Sequence, residues 1–172
     1  MIWVYIIGTA FLLIGFSAFF GAPYVPTRRR DLRRMFDSLF PIGEGDVLLD
    51  IGSGDGLVLR EARRRGARAV GFEINPLLVG ISRMLAKGDA GQQTLLVNGW
   101  FAPFPDDVTI VYVFSVGRDA KRLIKTMQRE ADRLGRPLSL VCFGSPLQTR
   151  QPSKSFEAYF LYEFRPLQSP KA

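Results

Sequence analysis

Val47-Leu-Leu-Asp-Ile51 is a short apolar run closed by three alternating glycines, Gly52, Gly54 and Gly56, and no other stretch limits the possible folds so severely. Five such residues suit a strand buried on both faces. Glycine at every second position lets the backbone turn tightly and approach a ligand more closely than any Cβ would permit. Leu57 to Arg65 then reads as a helix stopped by Gly66, and Ala69-Val-Gly-Phe72 as a second strand with Glu73 at its end. Strand, glycine turn, helix and strand make a parallel crossover unit, which needs a sheet covered by helices.

The alternation continues to the end of the chain. Pro76 opens a helix at its first turn, with Leu77, Leu78, Ile81 and Leu85 expected to face inward. Thr94 to Val97 and Val108 to Phe114 read as the third and fourth strands. Arg118 to Leu134 reads as a helix with Leu123, Ile124, Met127, Ala131 and Leu134 at helical spacing. Leu138 to Phe143 is the fifth strand, and Phe156 to Phe164 a long sixth. The expected fold is α/β, Rossmann-like and doubly wound, over residues 46–166. Its mostly parallel sheet has six strands, or seven if a brief one precedes the last.

In such sheets ligands bind beyond the carboxyl ends of the strands. Glu73 lies 17 residues past Gly56, where a carboxylate can accept both hydroxyl hydrogens of a ribose. Two kinds of cofactor compete for the layout. A dinucleotide fingerprint spaces its glycines G-x-G-x-x-G and holds a pyrophosphate at the helix N-terminus. Here the spacing is G-x-G-x-G, and Asp50 and Asp55 put negative charge where a pyrophosphate would be repelled. A sulfonium nucleoside carries an ammonium instead, which wants carboxylates and backbone carbonyls. A glycine turn with no ligand is the bland alternative, and Glu73 at the next strand end argues against it.

Composition narrows the chemistry further. The chain of 172 residues has one cysteine, Cys142, and no histidine, which removes disulfides, Cys/His zinc sites and imidazole triads. No run of carboxylates suggests a magnesium site, so no metal is expected. Of the formal net charge of +7, Arg28, Arg29, Arg30, Arg33 and Arg34, less Asp31, supply +4. That clustering does not suggest a nucleic-acid groove. It suits an anionic membrane surface, at about 1 kcal/mol per basic residue close to it.

Immediately before those arginines, Ile2 to Ala22 form 21 residues without a charge. As a helix they cover about 30 Å, the thickness of a hydrocarbon core. Trp3, Tyr5 and Tyr24 suit the two interfaces. A cleaved signal peptide would need a basic start and a shorter apolar run. The expectation is one transmembrane anchor over residues 2–22, with the flanking arginines placing the domain on the cytoplasmic side. Residues 23–45 would then form a juxtamembrane segment. Its Pro23-Tyr-Val-Pro26 connector leads to a helix capped by Thr27 and running to about Phe40, with Leu32, Met35, Phe36 and Leu39 on one face.

Leu49-Asp-Ile-Gly-Ser-Gly-Asp-Gly56 and Gly71-Phe-Glu-Ile-Asn-Pro76 resemble the first two motifs of class I, seven-stranded methyltransferases that use S-adenosylmethionine. Together with Pro23-Tyr-Val-Pro-Thr27 they resemble, within that class, a membrane-associated family of protein lysine methyltransferases. It includes the mitochondrial enzymes acting on the ATP synthase c-subunit and the adenine nucleotide translocase. The resemblance covers about residues 20 to 145 and implies the following. Asp50, Gly52, Ser53, Gly54, Asp55 and Gly56 form the loop that holds the methionine part, and Glu73 holds the ribose. Ile74 and Asn75 lie against the adenine, flanked by Asn98, Gly99 and Trp100. Many relatives have aspartate where Asn98 stands, and Trp100 serves equally as a core residue. Residues 24–27 fold over the cofactor as a lid. Tyr24 and Ser115 orient the acceptor amine, and Asp119 attracts it unless it only caps the next helix. The substrate would be a membrane-embedded protein, in the mitochondrial inner membrane if the source is eukaryotic. Transfer to a lipid or quinone-like molecule and a non-catalytic cofactor-binding module are the competing expectations. No Asn/Asp-Pro-Pro-Tyr follows the fourth strand, which argues against planar amides and base amines as acceptors.

Overall fold

A computed structural model describes residues 2–5, 8–9 and 28–167 of the chain. Most of the expected anchor, the lid with Tyr24, and Thr27 lie outside the described residues. Among the described residues no helix is long and apolar enough to cross a membrane.

Seven strands form one sheet in the order β3-β2-β1-β4-β5-β7-β6. They are β1 Val47–Ile51, β2 Arg68–Glu73, β3 Gln92–Leu96, β4 Ile110–Ser115, β5 Leu138–Gly144, β6 Lys154–Phe156 and β7 Tyr159–Phe164. The first five are parallel, while β7 runs antiparallel to both β5 and β6. The long sixth strand expected from Phe156 to Phe164 is therefore a hairpin. Phe156 pairs with Tyr159 across a two-residue turn, in which Glu157 adopts φ 53°. Such turns favour Asn or Gly at positive φ, so a glutamate there carries no turn signal in sequence. Arg34 secures the hairpin by pairing with Glu157 at 2.8 Å and lying over the Phe156 ring.

Helices α1 (Arg29–Ser38), α2 (Leu57–Arg63) and α3 (Pro76–Ala86) cover one face of the sheet, and α4 (Ala120–Leu134) covers the other. Strand alternation sends Leu48, Ala69, Ile110 and Val141 to the first face, where they meet Leu32, Met35 and Phe36 of α1 and Leu59 and Ala62 of α2. Leu49, Val70, Val111 and Leu140 turn to the second face, against Leu123, Met127 and Ala131 of α4. Inside the helical layer, buried Glu61 holds Arg33 at 3.0 Å and also pairs with Arg64, tying α1 to α2.

Two helix expectations are corrected. Arg28, not Thr27, occupies the N-cap position of α1, with no side-chain cap bond, and Asp31 supplies favourable charge in the first turn. In α3 only Val79 and Ser82 are buried, while Leu77 is 64 % exposed and Leu85 37 %. The physical reason is close packing. Ser82 bonds Thr94 of β3 at 2.7 Å and sits so near Gly56 that a Cβ there would meet its Oγ at 2.2 Å. Only a small side chain fits between the glycine loop and β3, so Leu77, Met84 and Leu85 point outward, while Leu78 and Ile81 stay partly buried.

Candidate functional site

The glycine loop begins where β1 ends. Gly52, Gly54 and Gly56 all have positive φ, at 81°, 56° and 77°, which is costly for any residue with a Cβ. The amides of Gly52 and Ser53 donate to the Phe72 carbonyl at 2.8 and 3.1 Å, so the turn is fastened to β2. A Cβ built on Gly52 would meet nothing within 4 Å, so this side of the loop is open. Ser53 is buried beside Gly71, whose own Cβ would meet the Ser53 Oγ at 2.4 Å.

Glu73, at the carboxyl end of β2, organises the neighbourhood. One carboxylate oxygen accepts from the Gly54 amide at 2.9 Å; the other accepts from Ile74 and Asn75 at 2.9 and 2.8 Å. The glycine loop and the turn into α3 thus share one acidic side chain. A carboxylate accepts about four hydrogen bonds, so one position remains for a further donor. Asn75 caps α3 by accepting from the Leu77 amide at 3.0 Å, and Ile74 is about half exposed beside it.

Asp50 sits on the same sheet face, between Gly71 of β2 and Tyr112 of β4. It is 3 % exposed, and among the described residues no group donates a hydrogen bond to it. Burial first, then the nearby charges of Glu73 and Asp55, pushes its carboxyl well above the usual carboxylate range. The folded chain therefore holds this proton more tightly than the unfolded chain does. Its contribution to stability is full below the unfolded carboxylate pKa and is lost as pH rises through the raised folded value. A cation brought beside this carboxyl would favour its ionised form and displace the proton. Asp55 is already engaged: it accepts from Arg60 at 2.9 Å and from the Leu57 amide at 3.2 Å.

The loop after β3 closes a third side. Asn98 accepts from the Trp100 amide at 3.0 Å. Gly99 presses so closely on β1 and β2 that a Cβ would meet Ile51 at 2.8 Å. Trp100 packs partly buried against the second core, and the Arg122 guanidinium of α4 lies 4.8 Å from its ring centre, with Phe101 on Arg122 as well. Nothing in the sequence marks Arg122, because a single arginine on a helix carries no sign of the rings it meets.

The structure therefore brings Asp50, Gly52, Ser53, Gly54, Asp55, Gly56, Glu73, Ile74, Asn75, Asn98, Gly99 and Trp100 to one end of the sheet, around the ends of β1, β2 and β3. The acceptor candidates are less united. Ser115 ends β4, 2 % exposed, on the opposite sheet face to Asp50, and its hydroxyl faces Cys142, whose thiol burial pushes up to about 12. Asp119 occupies the N-cap position of α4 after a short 3-10 turn at Gly117–Asp119. It makes no side-chain cap bond and lies 3.8 Å from Arg118.

A seven-stranded sheet with an antiparallel β7 and a glycine turn between acidic strand ends defines the Rossmann-like methyltransferase class. Residues 24–145 match the methyltransferase-domain family, and the chain belongs to it. Among proteins of known activity, it is 33 % identical over 113 residues to the human ATP synthase c-subunit lysine N-methyltransferase, covering 64 % of this chain and 47 % of that protein. It is 38 % identical over 65 residues to the mouse adenine nucleotide translocase lysine N-methyltransferase, covering 37 % and 28 %. The chain spans about half the length of the ATP synthase c-subunit methyltransferases it matches. Among solved structures, an RNA methyltransferase from Salinibacter ruber in complex with S-adenosyl-L-homocysteine superimposes with a TM-score of 0.71 at 27 % identity, over 86 % of this chain and 98 % of that one. The geranyl diphosphate C-methyltransferase from Streptomyces coelicolor shares the fold, with a TM-score of 0.54 at 22 % identity, over 72 % of this chain and 49 % of that one.

Proposed function

We propose that this protein is an S-adenosylmethionine-dependent methyltransferase that modifies lysine side chains of a membrane-associated protein, held at the membrane by residues 2–22 with its domain on the cytoplasmic side. The observation that carries the cofactor reading is Asp50: a buried carboxylate without a hydrogen-bond donor among the described residues, beside the open side of Gly52. The residues fit the group. Asp50 and the loop of Gly52, Ser53 and Gly54 would hold the ammonium-bearing amino acid part, with Asp55 and Gly56 shaping the loop. The remaining acceptor position of Glu73 would take a ribose hydroxyl, and Ile74, Asn75, Asn98, Gly99 and Trp100 would enclose the base. Bound there, the cofactor supplies a methyl carbon already activated by sulfonium.

The chain's own part is alignment and proton management. A lysine acceptor must lose a proton, which at pH 7 costs about 4.6 kcal/mol from its unperturbed pKa near 10.4. Burial beside positive charge lowers that pKa, so a dedicated base is not required. Tyr24 and Asp119 are the residues proposed to orient or attract the amine; Ser115 is buried, with its hydroxyl toward Cys142. The lysine reading is supported by the named activities of the human and mouse relatives.

The ionisation of Asp50 gives a direct check. An ammonium seated beside it stabilises the carboxylate, so binding of S-adenosylhomocysteine should release a proton at pH values between the ordinary carboxylate range and the raised one. Calorimetry in buffers of different ionisation enthalpy should show that release in the native protein and none in Asp50→Asn. Equal heats for the two proteins would remove Asp50 from the ammonium site.

Acceptor class is tested with labelled cofactor and membranes. Label that survives solvent extraction and ribonuclease but not protease supports lysine. Extractable label supports a lipid or quinone-like acceptor, and ribonuclease-sensitive label supports RNA, the substrate class named for the Salinibacter ruber neighbour.

A further inference from the structure

The outward apolar face of α3 has no partner among the described residues and no role in the site. Leu77 is 64 % exposed and Met84 69 %, with Ile81 half-buried between them at helical spacing and Leu85 and Leu96 exposed alongside. Gly80 lies on the same stripe, and a Cβ there would meet nothing within 4 Å. Lys87 borders the stripe at the end of α3, as a cation does on a helix lying in a membrane interface, while the Arg83 guanidinium donates to the Thr94 carbonyl of β3 at 3.0 and 2.8 Å. Contiguous exposed apolar surface of this kind marks an interaction site.

We propose that this face of α3 rests on an anionic lipid bilayer. The inference builds on the anchor reading for residues 2–22. Thr94 meets Ser82 on the sheet face that also carries α1 and α2, so α3 belongs to the helical layer that begins at Arg29. Only residues 23–27 separate the uncharged segment from Arg28, and five extended residues span about 18 Å at most. If residues 2–22 cross the bilayer, the start of α1 cannot leave its surface by more than that, and the tether holds the domain near the surface at high effective concentration. Arg28, Arg29 and Arg30, all exposed at the start of α1, favour the side that faces anionic headgroups. Apolar residues that would cost solubility on a freely diffusing domain are then covered. Docking by α3, which starts directly after Ile74 and Asn75 of the site, would also set the cofactor end of the sheet close to membrane-embedded acceptors.

The test uses the full chain reconstituted into phosphatidylcholine vesicles with or without phosphatidylglycerol. Met84→Cys and Lys125→Cys, the latter on the exposed side of α4, are each labelled with an environment-sensitive fluorophore. The native Cys142 is buried, with its thiol pushed up to about 12, and does not compete for label. The probe at position 84 should gain at least about twofold in intensity and shift to the blue with anionic vesicles, while the probe at position 125 stays aqueous. Flotation on a density gradient separates the two readings. A chain that floats while the probe at position 84 stays aqueous overturns the docking of α3 and leaves the anchor standing. A chain that does not float removes the anchor and the docking together. A blue shift without vesicles that grows with protein concentration assigns the face to a second copy, and one that appears only on adding an acceptor protein assigns it to the substrate; either overturns the bilayer.

Discussion

Glu73→Ala is expected to weaken binding of S-adenosylhomocysteine by about 1–3 kcal/mol, roughly five- to 150-fold, with the fold retained. Glu73 does two things at once. It accepts the Gly54, Ile74 and Asn75 amides, and it keeps one position for a ligand hydroxyl. Alanine leaves three amides at the mouth of the site, where water can reach those of Ile74 and Asn75 more readily than the buried Gly54 group. The glycine loop should therefore loosen even without ligand, and the Gly54 amide should exchange hydrogen faster. Glutamine should rescue little: both oxygens face N–H donors, and an amide presents its NH2 to one of them. Isothermal titration across the three proteins checks the order native, then glutamine, then alanine. An unaltered affinity in Glu73→Ala would mean that the ribose lies elsewhere.

Much of this site is legible in the sequence because its requirements are local. Asp50-Ile-Gly-Ser-Gly-Asp-Gly56 must turn and must present carboxylates, and both demands are written in adjacent residues. The parallel order follows from alternating strands and helices, since crossovers leave few topologies open. What sequence does not reveal depends on contacts between distant residues. The inward side of α3 escapes a reading by hydropathy because size, not polarity, selects Ser82 against Gly56 and Thr94. The hairpin at Glu157 is hidden because β7 imposes a left-handed turn on a residue that does not favour it, with Arg34 of α1 holding the result. Buried Glu61 and Glu130 each gather arginines, yet each reads in sequence as an exposed charge on a helix. Ser115 has the expected place at the end of β4, but strand parity turns its side chain to the α4 face.

Gly56→Ala should be the most destabilising single methyl added to the glycine loop, at about 2–4 kcal/mol. Two costs add. Gly56 has φ 77°, where a Cβ costs about 1–2 kcal/mol. The new methyl also falls 2.2 Å from the Ser82 Oγ and 3.2 Å from its Cβ, and the hydroxyl is held there by Thr94. For a chain of this size such a loss lowers Tm by roughly 5–15 °C, readable by calorimetry. Ser82→Gly in the same chain removes the collision and leaves the backbone strain, so the pair should show favourable coupling of about 1–3 kcal/mol in a double-mutant cycle. Gly52→Ala separates stability from binding. Its φ of 81° imposes comparable strain, but its Cβ enters open space, so Tm should fall less while cofactor affinity falls more. Equal Tm losses at the two glycines, with no coupling to Ser82, would mean that backbone strain alone governs the loop and that α3 does not define its floor.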